Sequence, residues 1–309
     1  FMPESSGIKK SEQLNLKALT DLAQKIFIER EHAKISPDES LTMQSLIAVG
    51  TSAGGQRAKA IIAYNKKTGE VRSGQISAPE GFDYYLIKLD GVTAEAGFKE
   101  TENFGRLEYS FSELVKNCGI DMTECSLIEE NGRAHFLTKR FDRENGRKIH
   151  MQTLCGMAHY DFRLKNGHSY EQAFNVMRRL RLPYSQAQEM FRRIVFNVIV
   201  RNQDDHTKNI SFLMDSSGQW SLSPAYDMGF AYNPLGAWTA THQMSINGKF
   251  DNITRADLLS LANANNIKNA SEIIDQVCET TAGWPELAKN CGVPQKMIDG
   301  IVPHMLLSI

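Results

Sequence analysis

The hydrophobic period of the chain changes near residue 140, and that change limits the folds open to it. Between about residues 50 and 140 most apolar runs are short and bounded by turn residues, the pattern of strands. Beyond that point apolar residues recur mostly at three- and four-residue steps, the pattern of helices. Strands gathered in one half and helices in the other predict an α+β chain in two lobes.

The elements follow from the same reading. Leu16, Leu19, Leu22, Ala23 and Ile26 share a helical face near the start. Strands are expected at 59–64, 71–76 and 84–89, with a turn at 67–70. One helix interrupts them over 105–118, with Leu107, Phe111, Leu114, Val115 and Cys118 on its apolar face. Asn131-Gly132 between 126–130 and 133–139 predicts a tight hairpin, because both turn residues tolerate positive φ. Helices are expected at 170–181 and 185–201, a small hairpin over 210–222, and helices again from 255. The expected organisation is a helical segment over 1–45, a β-rich lobe over 46–143 and an all-helical lobe over 144–309.

Composition narrows the classes. The 309 residues are 41% hydrophobic and 23% charged, which excludes a disordered or coiled-coil chain. No apolar run approaches the roughly 18 residues of a membrane span. The first residues lack the basic and apolar stretches of a secretory signal, and a first residue other than Met suggests a fragment. A net charge of -1 does not fit a protein that coats nucleic acid. Five cysteines with no CxxC pair predict reduced thiols in a cytoplasmic protein.

Four features could carry chemistry. The small-residue loop over 50–59 would let backbone N–H groups approach a polyphosphate, although it is neither GxxxxGK[ST] nor GxGxxG. Lys88 interrupts an apolar strand, and Glu108 on the following helix is a possible partner. Asn202-Gln203-Asp204-Asp205-His206-Thr207-Lys208-Asn209 is the densest polar cluster and directly follows an apolar helix. Asp227 then sits in Tyr226-Asp227-Met228-Gly229. Each alone also has a plain reading as a turn, a cap or a solvated face. Their order suits phosphoryl transfer: a loop over the phosphates, Lys on the α/β oxygens, an Asp for the acceptor hydroxyl, then Asn and Asp for Mg²⁺.

Here the chain resembles the HipA-type toxin serine/threonine kinases of bacterial toxin–antitoxin modules. The matching strings are Ser52-Ala53-Gly54-Gly55-Gln56-Arg57-Ala58-Lys59, Leu86-Ile87-Lys88-Leu89, Glu108-Tyr109, Lys139-Arg140-Phe141-Asp142-Arg143, Asp204 to Asn209, and Ala225-Tyr226-Asp227. The resemblance covers about residues 45–305 and implies a bilobed protein-kinase-like fold using ATP and Mg²⁺. By position it implies that Asp204 is the catalytic base, and that Asn209 and Asp227 bind the metal. Ser52, Gly54, Gly55, Lys59 and Lys88 would meet the nucleotide phosphates. The segment 139–142 would meet adenine, with Phe141 nearby, and His206 and Lys208 would shape the loop or touch phosphate. Ser52 matches a residue that some members autophosphorylate, with Thr51 as a weaker candidate. Asp205 leaves the base open to a shift by one residue; the spacing to Asn209 favours Asp204.

The resemblance further implies a HipB-like antitoxin as partner, DNA contact only through that antitoxin, a role in persistence and a protein target connected with translation, such as an aminoacyl-tRNA synthetase. The family usually carries a further N-terminal subdomain, so a short or truncated member is expected. Two other readings stand beside the kinase: an antitoxin- and operator-DNA-binding module with secondary catalysis, and a small-molecule or lipid kinase on the same fold. His150, His159 and His168 lack metal-ligand spacing, and the Arg178, Arg179, Arg181 and Arg192, Arg193 clusters read as solvated helix faces.

Overall fold

The computed structural model describes residues 13–28, 57–93, 103–144 and 146–309. The chain forms two units, one of residues 1–109 and 124–147, the other of residues 110–123 and 148–309.

The first unit is built on a five-stranded antiparallel sheet. Its strands are β1 (Arg57–Tyr64), β2 (Val71–Ser73), β3 (Asp83–Thr93), β4 (Cys125–Glu130) and β5 (Arg133–Lys139), in the order β2-β1-β3-β5-β4. Alternation puts Ala58, Ala60 and Ile62 of β1 with Tyr85, Ile87 and Leu89 of β3 in one buried cluster. Helix α1 (Leu16–Ile28) covers that face with Leu19, Leu22 and Ala23. The predicted hairpin is present: Asn131 and Gly132 have φ of 48° and 79°, both in the left-handed region. Two short strands, β6 (Arg143–Glu144) and β7 (Arg147–Lys148), pair with each other.

Helix α2 (Phe104–Asn117) buries the predicted residues Leu107, Phe111, Leu114 and Val115, with Cys118 just beyond its end. In the second unit Phe111 stacks on Trp284 at 4.7 Å between ring centroids, and Trp284 Nε1 donates to Ser110 Oγ.

The second unit is mainly helical. Helix α5 (Tyr184–Ile199) is its spine, and Phe191, Ile194, Val195, Val198 and Ile199 are all buried. The unit also holds α3 (Leu154–Ala158), α4 (Tyr170–Arg179), α6 (Arg255–Ala264), α7 (Ala270–Ala282), α8 (Trp284–Asn290) and α9 (Gln295–Ile301), and of these α7 packs most extensively on α5. The expectation of an all-helical lobe is corrected here. A three-stranded sheet joins β8 (His150–Thr153), β10 (Ser211–Met214) and β11 (Trp220–Leu222), and β9 (His168–Ser169) runs parallel to β12 (Met244–Ser245). The hairpin of β10 and β11 is legible from its turn, but β8 is not. Its sequence, His-Met-Gln-Thr, is mostly polar, and its pairing with β10 comes from some 60 residues away.

No helix among the described residues is long and apolar enough to cross a membrane. All five cysteines are free thiols.

Candidate functional site

In the first unit the residues between the core positions of β1 and β3 form a second sheet face. Lys59 lies directly opposite Lys88, and Lys88 opposite Phe136 on β5. Directly opposed residues share a face, so two lysines and a phenyl ring stand side by side away from α1. Both lysines are only 9% exposed. Lys88 Nζ meets Glu108 Oε2 at 2.8 Å and lies 5.8 Å from the Phe136 ring centroid. Like charges opposed across a ladder repel, so this face favours anions. The Glu108 carboxylate is one such anion.

Helix α2, which carries Glu108, is set on the sheet by a second carboxylate. Asp90 Oδ2 accepts from Asn103 N at 3.0 Å, and Oδ1 from Gly105 N at 3.4 Å. Ala134 N on β5 also reaches Asp90, at 3.5 Å, and Asp90 N donates to His135 Nδ1 at 2.9 Å. Burial lowers the His135 pKa, and the accepting Nδ1 leaves the ring proton on Nε2. The helix approaches so closely that a Cβ on Gly105 would lie 1.7 Å from Ala134 O.

At the connector, Arg140 grips Asp142 with two bonds of 2.9 and 2.7 Å, and Arg143 Nη1 adds a third at 2.6 Å. Burial works against the Asp142 charge, but the two guanidinium groups outweigh it and hold the carboxyl below its ordinary pKa. This fixes the backbone on either side of Phe141, and Arg140 N bonds to Tyr84 O at 2.8 Å. Thr51, Ser52, Gly54 and Gly55 lie outside the described residues.

In the second unit α5 ends at Ile199, and Arg201 just beyond it turns into the left-handed region at φ 54° and releases the chain into the polar loop. Asn202 folds back onto Asn197 through both backbone and side chain, at 2.8 and 2.9 Å. The two neighbouring carboxylates then part. The Asp204 side chain is 50% exposed, whereas that of Asp205 is 1% exposed. Asp205 accepts from Tyr170 OH at 2.7 Å and from Gln243 N at 2.7 Å, and meets His242 Nδ1 at 2.8 Å. Asn197 Nδ2 in turn donates to Tyr170 OH at 3.0 Å. Burial and the Asp205 charge push the Tyr170 phenol well above its ordinary pKa, so it stays a donor.

The rest of the loop is pinned both from within and from outside. Asn209 Nδ2 donates to Asp204 O at 2.9 Å and Asn209 N to His206 O at 2.9 Å. His206 Nε2 lies 3.8 Å from the Asp204 carboxylate, and its ring meets Phe162 edge-on. Lys208 Nζ lies 4.0 Å over the same Phe162 ring. Thr207 Oγ1 donates to Tyr160 O at 2.8 Å. Tyr226 OH donates to Lys208 O at 2.6 Å, tying the segment that holds Asp227 to the end of the loop. Asp227 is exposed and adopts φ 56°.

The structure thus brings Lys59, Lys88 and Glu108 together in one unit, and Asp204, His206, Lys208 and Asn209 in the other, with Asp227 tethered to them through Tyr226. Sequence reasoning missed Asp90, Tyr170, Asn197 and His242. The polar step inside the apolar run ending Leu89-Asp90 is the only local sign of the first. The others lie in ordinary helical or loop sequence far from the residues they hold.

Among the described residues no three His, Cys, Asp or Glu side chains form a metal cage. The oxygen donors Asn209 and Asp227 still suit Mg²⁺, which binds through one or two protein oxygens with phosphates and water completing its shell. The Asn209 amide nitrogen is spent on Asp204 O, which leaves its oxygen as the group presented elsewhere.

Over 136 residues the chain is 29% identical to a protein of Haemophilus influenzae named as a candidate kinase, covering 39% of each chain. Over 218 residues it is 27% identical to the candidate kinase Y4dM of Sinorhizobium fredii, covering 64% of this chain and 52% of that one. The matches therefore span about half or less of those relatives' own length. The HipA of Shewanella oneidensis, solved with HipB and its operator DNA, has a similar fold, with a TM-score of 0.63 at 18% identity over 98% of this chain and 70% of that one. The sequence model of the HipA-like C-terminal domain matches residues 51–284, and the chain belongs to that family.

Proposed function

We propose that the chain is an ATP- and Mg²⁺-dependent protein serine/threonine kinase and the toxin of a toxin–antitoxin module. One observation carries the reading. A half-exposed carboxylate, Asp204, stands on a loop whose next carboxylate, Asp205, is buried and saturated. That is how a fold presents one acid to a substrate while holding it still.

In this reading Lys88, steadied by Glu108, binds the nucleotide's α/β oxygens, and Lys59 opposite it adds a second positive charge. Asp204 accepts the proton of the acceptor hydroxyl as its oxygen attacks the γ-phosphorus, and ADP leaves. Asn209 and Asp227 would hold Mg²⁺, whose charge offsets that of the phosphates when it is bound. Segment 139–142 would support adenine, with Phe141 nearby, while His206 and Lys208 shape the loop through Phe162. Ser52 remains our candidate for autophosphorylation. The antitoxin partner is read from the HipA–HipB pairing in the similar structure. A translation-related target and a cytoplasmic site of action rest on the family resemblance.

The test is incubation with γ-labelled ATP, Mg²⁺ and a cell lysate, followed by mass spectrometry. Label is expected on a lysate protein or on Ser52 with the unaltered chain, and not with Asp227→Asn. Undiminished labelling by Asp227→Asn overturns the assignment. Lys88→Met should raise the apparent KM for ATP by about 10- to 100-fold, the worth of a hydrogen bond to a charged group. An unchanged KM would remove Lys88 from the nucleotide site.

A further inference from the structure

We infer that Asp90 is the positioning residue for the Lys88–Glu108 pair; this rests on the reading of Lys88 as the phosphate contact. Lys88 and Asp90 are two residues apart on β3 and therefore project from the same face. Each grips α2. Lys88 takes Glu108, and Asp90 takes the N–H groups of Asn103 and Gly105 at the start of the helix.

The first N–H groups of a helix have no partner within it and carry the positive end of its dipole. Helix α2 has no acidic residue of its own in its first turn. Asp90 supplies the missing acceptor from the strand, and it is only 4% exposed, so water does not compete for the place. Asn103, at φ 75°, turns the chain into the helix, and Gly105 lets the first turn sit against Ala134 O. His135 holds the Asp90 backbone from the next strand through Nδ1. Glu108 lies three residues beyond Gly105, within one helical turn of the clamp. The depth at which its carboxylate meets Lys88 is therefore set by Asp90. The strand that bears the lysine also fixes the helix that bears its counter-ion.

The test is a double-mutant cycle on the full chain, with a non-hydrolysable ATP analogue and Mg²⁺ as probe. Asp90→Asn should weaken binding of the analogue about 5- to 30-fold, a coupling of the size seen between residues of one network. In turnover it should raise the KM for ATP while kcat at saturation stays near that of the unaltered chain. Glu108→Gln should weaken binding comparably, and the double variant should be no worse than Glu108→Gln alone. Penalties that multiply in the double variant would show that Asp90 acts on the fold at large and would overturn the inference. So would full affinity in Asp90→Asn. Absence of binding by the unaltered chain would instead sink the nucleotide reading itself. Amide exchange on the unaltered chain gives an answer that needs no variant. The Asn103 and Gly105 amides should exchange as slowly as the interior of α2, and exchange at the rate of a frayed helix end would refute the clamp.

Discussion

Asp204→Asn should slow phosphoryl transfer by about 10²- to 10⁴-fold, the usual contribution of a positioned base, and leave the melting temperature within a degree or two. The adjacent change, Asp205→Asn, should do the reverse kind of damage. Its carboxylate is buried under donors from Tyr170, His242 and the Gln243 backbone. An amide there loses the charge and turns an N–H₂ group toward groups that are themselves donors. The cost of such an uncompensated buried network is about 3 kcal/mol, or roughly 6–12 °C for a unit of this size. Single-turnover kinetics and thermal unfolding on both variants separate the two roles. If Asp205→Asn proved stable and inactive while Asp204→Asn kept its rate, the base would be Asp205. The carboxylates differ by one residue in sequence, yet in the fold one is half-exposed and the other buried.

The second large effect is expected at Gly105. A Cβ there would lie 1.7 Å from the Ala134 carbonyl oxygen, well inside van der Waals contact, and the obstacle is backbone that cannot rotate away. Gly105→Ala must therefore push the start of α2 off β5. Overpacking of this kind costs about 3 kcal/mol, even though alanine is the better helix former by about 1 kcal/mol. The melting temperature should fall by about 6–12 °C, and nucleotide affinity should fall with it as Glu108 retreats from Lys88. Gly132→Ala is the control: a Cβ there meets nothing within 4 Å, and its cost comes only from the positive φ. If Gly105→Ala melted with the unaltered chain, the tight approach of α2 would be wrong.

How much of this was legible in the sequence depends on the range of the interactions. The apolar face of α2, the core stripe of α5 and the Asn131-Gly132 turn are local patterns, and the structure carries them as read. Lys88 and Glu108 were legible only as one option, because a lysine inside an apolar strand can equally sit on a solvated face; the fold pairs the two at 2.8 Å. The division of labour between Asp204 and Asp205 was not. Two adjacent acids look alike until tertiary contacts from residues 170, 242 and 243 bury one of them. The strand β8 failed for a related reason: a four-residue polar segment becomes a strand only because β10 offers it an edge. Asp90 marks the limit between these cases. Its polarity was visible, but its purpose depends on a helix that begins 14 residues later.

The Tyr226 bond to the Lys208 carbonyl has an evolutionary corollary. It fastens the two arms of the β10–β11 hairpin near their open end, where Asn209 and Asp227 are held. The turn over residues 215–219 at the other end is exposed and closed by its own Asp215 contacts. That turn can therefore grow, shrink or change composition between descendants without disturbing the spacing of the two side chains proposed to hold Mg²⁺. Drift is free at the tip of the hairpin and constrained at its base.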